Sequence, residues 1–264
     1  MSQPAVLGSV DARGVATVTL NRPDVNNAYD DALLAGLHEA MDALGARPGV
    51  RAVVLRGAGR HFQAGADLTW ITRVATQSAD ENLRVSRTTA RAVHRLNTLP
   101  VPTVALVQGG CFGGGTGIVA ACDMVIAADD AVFSIAETRW GLMAGIIVPQ
   151  LADAIGVRQV RRYALSGERF DAHEARRIGL VHEVVPAAGL AAAGEAYVAR
   201  LLQNAPDANA QTKAVALESA WGRIDDDVMD RLVGQHAAKR TSDEATEGLA
   251  SFREKRAARW APAK

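Results

Sequence analysis

The sequence predicts an α/β fold, a core of repeated strand, loop and helix units followed by a C-terminal helical region. Three observations carry this. β-branched runs at Val6–Val10, Val15–Leu20, 52–55, Thr103–Val107 and Met124–Ala128 are interleaved with apolar residues at helical spacing. After the first pair the connections are too long for hairpins, which implies parallel pairing. Beyond Pro149 only residues 180–185 still read as strand.

The chain opens on a hairpin, with Asp11-Ala12-Arg13-Gly14 as a turn that ends on glycine. Asn21-Arg22-Pro23-Asp24 breaks the sheet, and Leu33, Leu34, Leu37, Met41 and Leu44 then mark a helix that stops at Gly45 and Pro48. The strand 52–55 leads into a Gly-containing stretch ending at Ala66. A capping box, Ser78-x-x-Glu81, opens the next helix and Pro100 closes it. The third unit runs from Thr103–Val107 through a glycine cluster and a short helix ending near Cys122 to Met124–Ala128. Later, Asp171-x-x-Glu174 caps a helix that ends at Gly179, and from Ala187 nearly everything reads as helix, the last opened by Thr241-x-x-Glu244. A soft boundary near residue 200 divides a core domain (1–200) from a helical oligomerisation region (201–264).

At 264 residues, 48% hydrophobic and 22% charged, the chain can bury a sizeable core. Lys plus Arg and Asp plus Glu balance at 29 each, so no global field favours nucleic acid or an anionic membrane surface. Cys111 and Cys122 sit in apolar or Gly-rich surroundings, without the Cys/His spacing of a metal site, and read as reduced packing residues. The N-terminus lacks the pattern of a secretory signal, and no apolar run approaches the roughly 18 residues of a membrane span. The expectation is a cytoplasmic protein without a bound metal.

Two loops and one carboxylate carry the chemical signal. In His61-Phe62-Gln63-Ala64-Gly65-Ala66-Asp67-Leu68 the small residues let a ligand approach free backbone N–H groups, although the segment also fits a turn into a helix capped by Asp67. In Gly109-Gly110-Cys111-Phe112-Gly113-Gly114-Gly115-Thr116-Gly117 three consecutive glycines precede the apolar stretch 118–122, where unpaired N–H groups suit an oxyanion. Gly115-x-Gly117-x-x-Ala120 also satisfies a dinucleotide fingerprint, with Asp129 or Asp130 as the ribose acid. Against that rival, the glycines come several residues after the strand instead of at its tight turn. Glu137 follows a short apolar strand and is bracketed by Ile135, Ala136 and Trp140. It reads either as a solvated or capping side chain or as a base whose pKa is raised by desolvation.

Taken together, Asn21-Arg22-Pro23 with Asn27-Ala28, Val53-Val54-Leu55-Arg56-Gly57, Ala64-Gly65-Ala66-Asp67-Leu68, Gly113-Gly114-Gly115, Ala121-Cys122-Asp123, the stretch around Glu137, and Glu174-Ala175 with Gly179-Leu180-Val181 resemble the crotonase (enoyl-CoA hydratase/isomerase) family over most of the chain. The resemblance implies a crotonase-like core of strand-strand-helix units and an acyl-CoA thioester substrate. It implies an oxyanion hole from the backbone N–H groups of Ala66 and Gly114, with Glu137 moving protons. Ala64, Gly65, Asp67, Leu68, Thr69, Gly117 and Trp140 would line the ligand. No cofactor is implied beyond the coenzyme A of the substrate, and the assembly would be a homotrimer or a dimer of trimers.

The sequence departs from the family's two-glutamate hydratases, because Gly117 stands where the first glutamate would be and only Glu137 remains. One base suits a double-bond isomerase. Yet Gly113-Gly114-Gly115-Thr116-Gly117-Ile118-Val119-Ala120-Ala121-Cys122-Asp123 is similar to hydratases of 3-branched glutaconyl-CoA esters, such as methylglutaconyl- or isohexenylglutaconyl-CoA, and hydration is the leading expectation. A non-catalytic acyl-CoA-binding homologue is the alternative of another class. Acyl selection is assigned to a polar loop at 72–86 and to Leu142-Met143-Ala144-Gly145-Ile146-Ile147-Val148-Pro149, with Arg139 or Arg84 as partner for a distal carboxylate. Arg22, Lys255 and Arg256 are the candidate cations for the nucleotide phosphates.

Overall fold

The computed structural model describes residues 3–221, 226–240 and 242–262. β1 (Val6–Val10) and β2 (Val15–Leu20) form the expected hairpin, from Val6 opposite Leu20 to Val10 opposite Ala16. Asp11 fixes its turn by accepting from the backbone N–H groups of Arg13 (2.9 Å) and Val15 (3.0 Å), while Gly14 takes the left-handed conformation there. α1 (Asp31–Ala46) starts at Asp30, whose carboxylate accepts from Leu33 N, and buries the predicted stripe Leu33, Leu34, Leu37, Met41 and Leu44.

β3 (Ala52–Gly57) follows, then α2 (Leu68–Ala75), α3 (Ala79–Asn97) and β4 (Thr103–Val107). β5 (Gly110–Phe112) leads into α4 (Gly114–Ala120), β6 (Met124–Ala128) and β7 (Val132–Ser134). α5 (Val148–Ser166), β8 (Arg169–Asp171), α6 (Ala172–Ile178) and β9 (Glu183–Val185) complete the sheets. The remainder is α7 (Leu190–Leu201), α8 (Pro206–Trp221), α9 (Asp226–Arg240) and α10 (Asp243–Glu254).

A six-stranded sheet has the order β1-β2-β3-β4-β6-β9 and is parallel from β2 onward. Both faces are covered, which explains why its central strands read as continuous apolar runs. Ala16, Val53, Leu55, Ala105 and Val107 face the main core with α1 and α3, whereas the alternate residues Val15, Val54, Val104 and Leu106 pack on Val198 and Leu202 at α7. A second sheet, β5-β7-β8, pairs Cys111 with Phe133 and Phe133 with Phe170. Its short strands carry the glycine loop and Glu137.

The helical tail is tied back to the core. The Arg51 guanidinium donates to the carbonyls of Leu202 (3.1 Å), Asn204 (3.0 Å) and Trp260 (2.8 Å). Lys213, its side chain only 10% exposed, pairs with Asp123 at 2.8 Å, and Asp123 also accepts from the N–H and hydroxyl of Thr103. The capping box expected from Thr241 and Glu244 falls on Thr241, outside the described residues, and Glu244 has partners beyond its own helix. It accepts from Asp207 N and Ala208 N at the start of α8, while Ser242 Oγ accepts from Ala245 N.

Two further expectations are corrected. The polar stretch 72–86 is not a loop but the end of α2 and the start of α3, because Ser78 caps α3 before the chain can wander. The last strand begins at Glu183 instead of 180, since the N–H groups of Leu180 and Val181 both turn back to the Ala175 carbonyl. Among the described residues no helix is long and apolar enough to cross a membrane, and no cluster of His, Cys, Asp and Glu side chains is arranged to hold a metal ion.

Candidate active site

In the loop after β3 the backbone donors from Phe62 to Asp67 are engaged, with the exception of Ala66. Asn27, fully buried in a left-handed turn, donates from Nδ2 to the carbonyls of Ala58 and His61 (2.8 Å each) and accepts from Arg22 N. Gln63 Oε1 accepts from Gly65 N (2.8 Å), and Ala64 N donates to the Asn26 carbonyl (3.0 Å). A parallel bridge then joins Tyr29 to Ala66: Tyr29 N donates to the Gly65 carbonyl and Asp67 N to the Tyr29 carbonyl, both at 2.9 Å. Pairing on that side turns the N–H of Ala66 to the other. Among the described residues nothing accepts from it.

The glycine loop meets this segment edge to edge. Gln63 bridges Cys111, and Phe112 N donates to the Gln63 carbonyl at 2.9 Å. Gly113 N donates to the Ser134 carbonyl, and Gly113 itself holds φ 51° and ψ −122°, a conformation reserved for glycine. That turn aims the N–H groups of Gly114 and Gly115 out of the first turn of α4, where they have no intrahelical acceptor. A Cβ on Gly114 would lie 2.6 Å from Tyr29 Cε1, so only glycine fits under the tyrosine ring.

Glu137 opens the 3-10 turn Glu137–Trp140, directly after β7. Its carboxyl lies against Gly113, with Oε1 3.1 Å from where a Cβ on that glycine would stand. Oε2 is buried without a hydrogen-bond partner among the described residues, and burial pushes the pKa above the ordinary carboxylate range. The apolar bracket is not the one read from the sequence. Ile135 is buried, but Trp140 is 72% exposed; desolvation comes from the glycine loop and the adjoining core instead. The Tyr29 phenol is raised to about 12, by its own burial first and by the charge of Glu137 second.

The other residues named from sequence are distributed more widely. Asp67 caps α2 by accepting from Thr69 N (3.0 Å) and Trp70 N (3.1 Å), and it pairs with Arg22 at 3.3 Å. Leu68 and Thr69 are exposed and border a shallow groove of about 580 Å³ with Thr72, Arg73 and Thr76. Gly117 is buried against Ile147. Arg22 is engaged by Asp30 and Asp67, and Arg256 by Glu247 and Glu254, so neither stands free for phosphate. Arg84 is exposed and bound to Glu81, and Arg139 lies exposed over Gly167; the buried arginine expected for a distal carboxylate is neither of these. Met143, expected to shape the acyl site, is 81% exposed, while Ala144 and Ile147 are buried. The dinucleotide reading also fails on geometry: Asp129 and Asp130 accept from the backbone of Ala187 and Gly109.

The family model for enoyl-CoA hydratase/isomerase matches residues 11–263. Pseudomonas aeruginosa AtuE has the same fold with a TM-score of 0.93 and 36% identity, over 98% of this chain and all of that one. An enoyl-CoA hydratase from Shewanella pealeana gives a TM-score of 0.92 at 33% identity, over 97% of this chain and 96% of that one. A mitochondrial Delta(3,5)-Delta(2,4)-dienoyl-CoA isomerase from Dictyostelium discoideum is 31% identical over 93% of this chain and 87% of its own. The fold and the two facing loops are thus those of enzymes that work on acyl-CoA thioesters. The chain belongs to the enoyl-CoA hydratase/isomerase, or crotonase, family.

Proposed function

We propose that this enzyme adds water across the α,β double bond of an enoyl-CoA ester. The observation that carries the reading is Glu137 Oε2, buried without a partner among the described residues in a carboxyl that lies against Gly113, next to the glycine loop whose Gly114 N–H, like that of Ala66 in the facing loop, is free. Those two amides receive the thioester oxygen as it gains charge, each worth about 2.7–4 kcal/mol in the transition state. Glu137, ionised in the resting enzyme, takes a proton from water as its oxygen bonds to Cβ, then delivers that proton to Cα as the enolate collapses. Loss and return of one proton on one carboxylate closes the cycle without a cofactor other than the coenzyme A of the substrate. A mere acyl-CoA binder gains nothing from a desolvated carboxyl without a partner, which costs stability.

The substrate we assign is a 3-branched glutaconyl-CoA, methylglutaconyl or isohexenylglutaconyl. Support comes from the segment Leu142 to Val148, in which Ala144 is buried and, with Gly145, takes little volume, leaving room for a branch at Cβ of the substrate. The exposed Arg84 and Arg139 lend this no support, so discrimination rests on pocket shape, worth about 1–3 kcal/mol per methylene. Double-bond isomerisation is the second reading, favoured by the single carboxylate. Side-by-side kinetics on crotonyl-CoA and 3-methylglutaconyl-CoA, with product masses, separate the cases. A gain of one water marks hydration, no mass change marks isomerisation, and equal or better rates on crotonyl-CoA remove the branched substrate.

We also assign a homotrimer or a dimer of trimers. Exposed Met229, Val233 and Leu249 on α9 and α10 support an interface in the helical tail.

A further inference from the structure

A single carboxylate can move the proton of a hydration, but it cannot alone hold a water molecule in one orientation. In a site with two carboxylates the water donates one O–H to each, which leaves a lone pair facing Cβ. Here no acid can reach in from α4, because Ile147 fills the space in front of Gly117. The second polar group has to come from another element.

Tyr29 supplies one. Its backbone is paired with the loop that carries Ala66, through Gly65 and Asp67 on either side. Its ring edge lies on Gly114, with Oη 3.4 Å from the place of a Cβ there, and the edge-on ring of Trp70, centroids 5.5 Å apart, fixes the plane. One residue therefore touches both loops whose amides face the thioester. Its hydroxyl has no hydrogen-bond partner among the described residues, yet its oxygen is not sealed from solvent. The packed ring therefore holds a hydroxyl that faces accessible space, where a water or a ligand is its available partner.

We propose that Tyr29 is a catalytic residue that holds the reacting water together with Glu137. One O–H of the water donates to the Glu137 carboxylate and the other to Tyr29 Oη. The water oxygen bonds to Cβ, the π electrons move to the thioester oxygen, and Glu137 takes the first proton. That proton then forms the Cα–H bond, while the O–H facing Tyr29 stays with the product as its hydroxyl. The phenol remains neutral throughout, as its raised pKa of about 12 requires at physiological pH. This inference rests on the hydratase reading above.

Tyr29→Phe removes the oxygen and keeps the ring. Because the hydroxyl has no protein partner, the variant should melt within about a degree of the native protein and bind butyryl-CoA with unchanged affinity. Hydration kcat should fall roughly tenfold to a hundredfold, the scale of one lost hydrogen bond plus lost orientation. Exchange of the α-proton of butyryl-CoA in heavy water uses Glu137 and the two amides but no attacking water, and it should stay within about threefold. Unchanged hydration in Tyr29→Phe overturns the proposal, as does a parallel loss of hydration and α-exchange, which marks a structural role. If the native enzyme hydrates no enoyl-CoA ester at all, the failure belongs to the functional reading.

Discussion

Ile147 occupies the space in front of Gly117: a Cβ built on the glycine would stand 2.5 Å from Ile147 Cβ and closer still to its Cγ2. Restoring a second glutamate by Gly117→Glu therefore forces a carboxylate into a filled, apolar place. The variant should lose roughly 3 kcal/mol or more of stability and gain no hydratase activity. Urea denaturation with a crotonyl-CoA assay checks both halves; a stable variant with faster hydration would contradict this.

Glu137→Gln should fold, bind CoA esters and lose roughly two to four orders of magnitude in turnover. Its stability carries a sign that the native protein can be tested for. A carboxyl whose folded pKa lies above the free value of 4.5 stabilises the fold while protonated, and that contribution is lost as pH rises through the folded pKa. The glutamine variant escapes the loss. It should match the native protein near pH 4 and exceed it at pH 7.5, as measured by thermal melts across that range.

The native kcat/KM should rise with pH on an acid limb whose midpoint lies above 4.5, because only ionised Glu137 accepts the water proton. A pH profile flat down to 4.5 would place the base elsewhere.

Lys213→Met leaves Asp123 without its cation where α8 meets the sheet. About 1.5–3 kcal/mol should be lost, the range for a hydrogen bond to a charged group, with kcat little changed. Chemical denaturation gives the first number and the standard assay the second.

Light scattering at micromolar concentration should give the mass of three or six chains. Met229→Glu combined with Val233→Glu should lower it, since both side chains are exposed on one chain. A monomer mass in the native protein would contradict the assignment.

Most of the framework was legible because it is local. Ser78 and Asp171 cap the helices that their positions suggest, and the first five runs of the large sheet coincide with its strands, whereas Asp30, which caps α1, gave no such signal. β5 and β8 escaped notice because three residues, Gly-Cys-Phe or Arg-Phe-Asp, are too few to show a period. What the sequence hid is pairwise and long-range. Nothing in the chain near Gly117 reveals that Ile147 lies against it, nor that Arg22 and Arg256 already hold carboxylates. Tyr29 was missed for the same reason, although an aromatic residue right after Asn27-Ala28 and before a helix cap was a visible signal that a ring sits at the mouth of that loop.

The reach of Arg51 has a consequence for how the molecule comes into being. Its guanidinium, at the threshold of β3, is satisfied by a carbonyl 209 positions later, at Trp260. Contacts of that span form late, because the chain entropy lost in closing them is large. Until the segment that carries Leu202, Asn204 and Trp260 has docked, the Arg51 guanidinium keeps its hydration water, so the closure of β3 against the helical tail belongs to the late steps of folding.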